Sequence, residues 1–205
     1  MPPASKIVRL KEEATRRSDR RNGKKRALAE HTLSTLSQLG YARTSLRDIA
    51  EQSDVSLGVL HYYFEDKAEL ISTCVQLYKE DFLARLDANL AASGPPERVA
   101  ARIVEGLVES IENDAEKHRL WYDIRSQALF DDSFTDVVTE LEQAMIDLCG
   151  RLLKRIDLAG HDPLDIYLRF DGLFRYHLQR RLNGDTAAPD DLRKALTVLV
   201  GSLRS

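Results

Sequence analysis

The sequence predicts an all-α fold of about nine helices, with a small N-terminal unit and a larger C-terminal one. Three observations carry this prediction. Apolar residues recur at helical spacing along nearly the whole chain, and no stretch alternates apolar with polar as a half-buried strand does. Clusters of Gly, Pro, Asp and Ser punctuate that pattern at helix-length intervals. The charge also changes along the chain: residues 1–67 hold 13 Lys and Arg against 9 Asp and Glu, whereas residues 68–205 hold 17 against 24.

Leu28, Thr32 and Leu36, with Leu33 beside them, form the first apolar stripe, and Gly40 ends it in a C-cap role. A short second helix follows in TSLRDIAEQS, residues 44–53. Thr44 or Ser45 can cap it, Asp48 suits the dipole of its first turn, and Leu46, Ile49 and Ala50 give it one apolar face. SDVS breaks the pattern. The third helix starts at Ser56 and ends near Phe64, because EDKAEL offers Asp66 as a new N-cap with Glu69 three residues on. Lys67 to about Asn89 forms a longer helix through Leu70, Cys74, Leu77, Tyr78, Phe82 and Leu86, stopped by AASGPPE. Further helices are expected over 97–113, 118–130, 133 to about 158, 163–182 and 192–203, with AGHDP and NGDTAAPDD as breaks between the last three.

Composition narrows the function classes. Hydrophobic residues at 43% and charged residues at 31% are ordinary for a soluble globular protein, and no apolar run approaches a membrane span. The basic N-terminus lacks the apolar core of a secretory signal, so a cytoplasmic location is expected. Cys74 and Cys149 form neither a disulfide framework nor a metal-ligand spacing. There is no Gly-rich phosphate loop, HExxH or Cys/His pairing, and the five histidines are scattered. No catalytic role, metal or cofactor is expected. Residues 1–26 hold ten basic and three acidic side chains, a field that attracts a polyanion and equally the pattern of a solvated tail.

VSLGVLHYYF, residues 55–64, places His61, Tyr62, Tyr63 and Phe64 side by side, more than one helix face can bury. A helix-turn-helix resolves this, since its second helix turns one face to its bracing partner and the other to the DNA major groove. Val55, Leu60 and Phe64 then pack inward, while Tyr63 and Lys67 stand where a phenol and an ammonium meet phosphates. Residues 40–71, GYARTSLRDIAEQSDVSLGVLHYYFEDKAELI, resemble the DNA-binding domain of TetR-family transcriptional regulators in spacing and in the YF…K…L ending. The resemblance covers about residues 24–83, and RFDGLFRYHLQRRL (169–182) weakly resembles the betaine-regulator-like branch. Asp54 stands where the family most often has Gly, His61 where it often has Tyr, and Leu36 where it usually has Phe.

The resemblance implies a ligand-responsive repressor that binds a palindromic duplex operator as a homodimer and is released by a small molecule. It implies a basic arm (1–23), a DNA-binding domain (24–67) and an effector-binding and dimerisation domain (68–205). Arg47, Ser56, Leu57, Gly58, Val59, His61 and Tyr62 would face DNA, with Thr44, Tyr63 and Lys67 holding the backbone. Val59 as core, Tyr62 as packing on the next helix and Lys67 as a solvated first-turn cation are the alternative roles. Phe82, Trp121, Tyr122, Arg125, Tyr167, Phe170, Phe174 and His177 are candidates to line a ligand cavity, though aromatics at helical spacing are as readily core. Leu168, Gly172, Leu173, Leu196, Leu199 and Val200 are candidates for the dimer seam, where mid-helix Gly172 would admit a neighbouring helix. A helical DNA-binding or partner-binding protein without a ligand is the rival reading. A closed core would favour that rival, and a cavity the ligand sensor.

Overall fold

The computed structural model describes residues 4–41 and 44–204, with side chains from residue 19 onward. Among the described residues there are nine α-helices, one 3-10 turn and no strand. None of the described helices is long and apolar enough to cross a membrane. The chain divides into two compact units, Met1–Leu77 and Tyr78–Ser205.

In the first unit, α1 (Ala4–Leu39) begins far upstream of the stripe expected for it, so residues 4–23 of the expected arm are helical. Residues 1–3 of that arm, and its side chains through residue 18, lie outside the described residues. Gly40 ends α1 at φ +75° with its N–H donating to Leu36 O at 3.0 Å, a conformation that favours glycine. The second helix, α2 (Leu46–Gln52), starts on a capping box: Ser45 Oγ accepts from Asp48 N at 3.2 Å, and Asp48 Oδ2 accepts from Ser45 N at 2.8 Å. Asp54 then takes the left-handed conformation at φ +52°, which a short polar side chain tolerates better than most. Ser56 caps α3 (Leu57–Tyr63) by accepting from Val59 N. Asp66 caps α4 (Lys67–Ala91) by accepting from Glu69 N at 2.8 Å.

The division between units falls inside α4, beyond the boundary expected at residue 67. Leu70, Ile71 and Cys74 of α4 are fully buried, and the Cys74 thiol donates to Ala29 O at 3.2 Å, so these turns belong to the first core. That core also holds Leu36, Ile49, Leu60 and Phe64.

The second unit contains α5 (Pro96–Asn113), α6 (Ala115–Gln127), a 3-10 turn (Asp132–Phe134), α7 (Thr135–Arg155), α8 (Pro163–Leu182) and α9 (Ala188–Ser202). Helix α5 packs on α9, and α8 lies against α7, α9 and α6. Gly106 allows α5 to approach α4, since a Cβ there would stand 2.7 Å from Asn89 Nδ2 and 3.1 Å from Leu86 Cδ2. Asn89 and Arg102 fasten the same crossing, each donating to the other's carbonyl at 3.3 and 3.2 Å. Helix α6 ends earlier than its pattern suggests. Phe130 N and Asp131 N both turn back to Gln127 O, leaving Leu129 and Phe130 exposed. Helix α9 starts earlier than expected, because Pro189 suits a first turn and Asp190 and Asp191 complement its dipole.

Candidate DNA-reading surface and ligand cavity

Helices α2 and α3 form a helix-turn-helix. Its inner face is Ile49, Ala50 and Leu60, with Ala50 small at the crossing and its carbonyl accepting from Val55 N at 2.9 Å. The opposite face of α3 is left open. Ser56, Gly58, Val59, His61 and Tyr62 are exposed, Leu57 and Tyr63 are half-buried, and Arg47 of α2 is exposed beside them. Val59 at 41% and Tyr62 at 67% exposure are apolar or aromatic surfaces that the unit itself does not bury, so neither is core. The Tyr62 and Tyr63 rings meet edge to face with centroids 4.9 Å apart. Arg21 of α1 reaches the end of α3, with its Nη2 3.5 Å from Tyr62 O.

Two of the expected backbone-holding residues are engaged within the unit. Thr44 is buried and its hydroxyl donates to Gly40 O at 2.7 Å. Lys67 Nζ donates to Tyr41 O at 3.0 Å and lies 3.9 Å from the Tyr41 ring centre. Both brace the turns that frame α3.

In the second unit, α4, α5, α6, α7 and α8 surround a cavity with about 70 Å³ of space that the centre of a water molecule can reach. One water needs roughly 10–15 Å³ on that measure, so the space suits a small organic molecule. Phe82 and Leu86 come from α4, Ile103 and Leu107 from α5, Met145, Leu148 and Leu152 from α7, and Tyr167, Phe170 and Phe174 from α8. Polar groups gather at one part of this wall: Lys79, His118, Tyr122 and Asp171. Asp171 accepts from Tyr122 Oη at 2.7 Å and from Arg125 Nη1 at 2.8 Å, and Arg125 also pairs with Glu142 at 2.6 Å. Burial pushes Lys79 down to about 7, with the Asp171 carboxylate acting upward against it. Burial likewise holds His118 well below the usual histidine range, with the Lys79 charge adding to the effect.

Five of the eight cavity candidates therefore line it: Phe82, Tyr122, Tyr167, Phe170 and Phe174. The other three do not. Trp121 is buried beneath Lys79, whose Nζ lies 4.8 Å from its ring, and Arg125 is taken up by Asp171 and Glu142. His177 is buried with its Nδ1 3.3 Å from Arg180 Nη1. The sequence pattern does not single out Lys79, His118 or Asp171. The one signal for Lys79 is its place on an α4 face with Val75, Phe82 and Leu86, where a lysine is out of keeping.

The seam candidates divide by burial, Leu168 and Gly172 being exposed and Leu196 not. Leu196 is 0% exposed within one chain, packed in the α5–α7–α8–α9 core, and has no surface to give a partner. Leu173, Leu199 and Val200 are partly covered by the same core. The open apolar residues of α8 are Leu164, Leu168 and Tyr176, which with exposed Gly172 form an i, i+4, i+8, i+12 stripe; Val198 of α9 is 71% exposed.

The sequence model described as "Bacterial regulatory proteins, tetR family" matches residues 28–74, the span from α1 through the first turns of α4. The chain is 26% identical over 157 residues to the HTH-type transcriptional regulator PksA of Bacillus subtilis (strain 168), covering 73% of this chain and 76% of that protein. It is 23% identical over 173 residues to the HTH-type transcriptional regulator BetI of Paraburkholderia phymatum, covering 82% and 85%. Its fold matches that of a transcriptional regulator from Saccharomonospora viridis solved with choline, at TM-score 0.73 and 16% identity over 88% of this chain and 96% of that one. The matched N-terminal domain, its open α3 face and an all-helical second unit together support a TetR-family transcriptional regulator, a family of DNA-binding proteins that are not enzymes.

Proposed function

We propose that the protein is a ligand-responsive repressor, acting in the cytoplasm as a homodimer on a palindromic operator and released from it by a small molecule. The observation that carries this is the cavity, because a sealed core would have favoured the ligand-free rival. Helix α4 supplies the link. It carries Leu70, Ile71 and Cys74 in the first unit's core and Phe82 and Leu86 in the cavity wall of the second. A ligand that fits one setting of α4 better than another shifts the balance between DNA-binding and released states by its difference in affinity for the two.

In this reading α3 enters the major groove. Arg47, Ser56, Val59, His61 and Tyr62 meet bases, Gly58 admits close approach, and Leu57 and Tyr63 flank the reading face. Thr44 and Lys67 act mainly by fixing the turns beside α3, and residues 1–23 add salt-dependent attraction to phosphates. The dimer forms along the Leu164–Leu168–Gly172–Tyr176 stripe with Val198, where Gly172 has no atom within 4 Å of an added Cβ inside its own chain and leaves room for a partner helix. The test is operator affinity, measured by fluorescence anisotropy with and without candidate ligands. A coupling of ~1–3 kcal/mol would weaken binding ~5–150-fold. Operator binding unmoved by any molecule that occupies the cavity would overturn the repressor-release reading.

A further inference from the structure

We propose that the cavity of the second unit takes a small organic anion, a carboxylate on an apolar body, with its head held at Lys79 and His118. This names the ligand class of the sensor site and so rests on the reading above. Lys79 is 3% exposed, and among the described residues no carboxylate stands within ion-pair distance of its ammonium. The nearby acid, Asp171, is already held by Tyr122 and Arg125. His118 is fully buried with both ring nitrogens unpartnered, and Tyr167 Oη on the same wall also lacks a partner. A buried polar group without a partner costs roughly 1–3 kcal/mol, so the unpartnered His118 and Tyr167 groups, lining the same cavity as an ammonium with no carboxylate beside it, point to an acceptor that arrives from outside. The remaining wall, Leu86, Ile103, Leu107 and Leu148 among it, suits a hydrocarbon body.

A cationic ligand is disfavoured by the same geometry. The ring faces that would hold a cation already hold the protein's own: Lys79 Nζ lies 4.9 Å from the Phe82 ring centre and 4.8 Å from that of Trp121. The structural relative solved with choline carries a cation, so the two proteins share a fold and differ in ligand sign.

Binding should also move a proton. The titratable groups that line the cavity with Lys79 are His118, Tyr122, Cys149, Tyr167 and Asp171, and the Arg125 charge also acts on it. Burial raises Tyr122, Tyr167 and Cys149, so they stay neutral near pH 8, and it lowers His118, which is neutral there too. Arg125 keeps its charge and Asp171 is bound to it. Lys79, held at about 7 by its burial, is therefore mostly neutral at pH 8, and an incoming carboxylate draws a proton onto it.

The experiment titrates the full-length protein with hexanoate, hexan-1-ol and hexyltrimethylammonium by calorimetry at pH 8, in two buffers of different ionisation enthalpy. The wild type is expected to bind hexanoate at least about tenfold more tightly than hexan-1-ol, the margin of one charge-assisted hydrogen bond, with uptake of close to one proton. Lys79→Met should lose both the preference and the uptake while still binding hexan-1-ol. Equal affinity for acid and alcohol, tighter binding of the ammonium, a preference that survives in Lys79→Met, or no binding of any probe in the millimolar range would each overturn the assignment. A neutral or cationic molecule that releases the operator would overturn the anion and leave the sensor standing. Hexanoate that binds without any carboxylate releasing the operator would overturn the sensor and leave the cavity chemistry standing.

Discussion

Lys79→Met should stabilise the second unit, by an amount that shrinks as pH rises. The buried amine has its folded pKa at about 7, against an ordinary 10.5 in the unfolded chain. Below pH 7 both states are protonated and the fold carries the full burden of a buried ammonium. Between pH 7 and 10.5 the unfolded chain binds a proton that the folded chain does not, so stability rises with pH across that window and levels off above it. The gap, at about 1.4 kcal/mol per pH unit, corresponds to an upper bound of roughly 5 kcal/mol at pH 7, and relaxation around the amine reduces it. Methionine fills nearly the same volume without a charge. Trp121, the only tryptophan, has its ring 4.8 Å from Lys79 Nζ, so its fluorescence reports unfolding of this unit. Urea titrations of wild type and variant at pH 7, 8 and 9 should show the variant ahead by several kcal/mol at pH 7, with its lead falling by ~1 kcal/mol per pH unit. A lead that does not change with pH, or a wild type more stable at pH 7, would refute the burial of an ionisable, unpaired amine.

Replacing His61 and Tyr62 together by alanine removes two exposed side chains, so the melting temperature should hold while operator binding weakens by ~1–3 kcal/mol for each base interaction removed, read by anisotropy on specific and scrambled duplexes. Equal losses on both duplexes would remove α3 from base reading. Leu168→Glu puts a charge on a side chain that is 56% exposed in one chain, and should give folded monomers by light scattering. Leu196→Glu, at a fully buried site, should instead unfold the second unit; a folded monomer there would return the seam to Leu196. Gly106→Ala should destabilise by ~1–3 kcal/mol in the same Trp121 assay, because Asn89 must withdraw from the crossing; a neutral result would mean the side chain moves freely.

Helix ends are legible in the sequence because their causes are local. Gly40, the Ser45–Asp48 box, Asp54 in the left-handed turn, Ser56 and Asp66 each act within a few residues of where they sit, and each does so in the structure. The open face of α3 is legible for a related reason: four consecutive large side chains cannot share one burial. The seam is not. Helix α8 carries two apolar stripes at the same spacing, Ile166–Phe170–Phe174–Leu178 inward and Leu164–Leu168–Gly172–Tyr176 outward, and only packing against α7 and α9 decides which is which. The cavity is half legible. Aromatic residues announce burial, so Phe82, Tyr122, Tyr167, Phe170 and Phe174 can be placed; Lys79 cannot, since lysine at a single position reads as surface.

The two units differ in how they treat buried polar groups, and the difference bears on function. In the first unit, buried Thr32, Thr44 and Ser53 each have a partner: Thr32 Oγ1 donates to Leu28 O, Thr44 Oγ1 to Gly40 O and Ser53 Oγ to Thr35 Oγ1. Such a frame holds α3 in one setting, as base reading requires. Of the six buried side-chain atoms without a partner among the described residues, five lie in the second unit, on Tyr78, His118, Trp121 and Tyr167. His118 and Tyr167 line the cavity, and the Tyr78 and Trp121 rings lie 5.8 and 4.8 Å from Lys79 Nζ. A buried polar atom without a partner costs roughly 1–3 kcal/mol, and this cost falls mainly in the second unit. In the proposed reading, a ligand that supplies an acceptor relieves that cost in the second unit, whose α4 continues into the first.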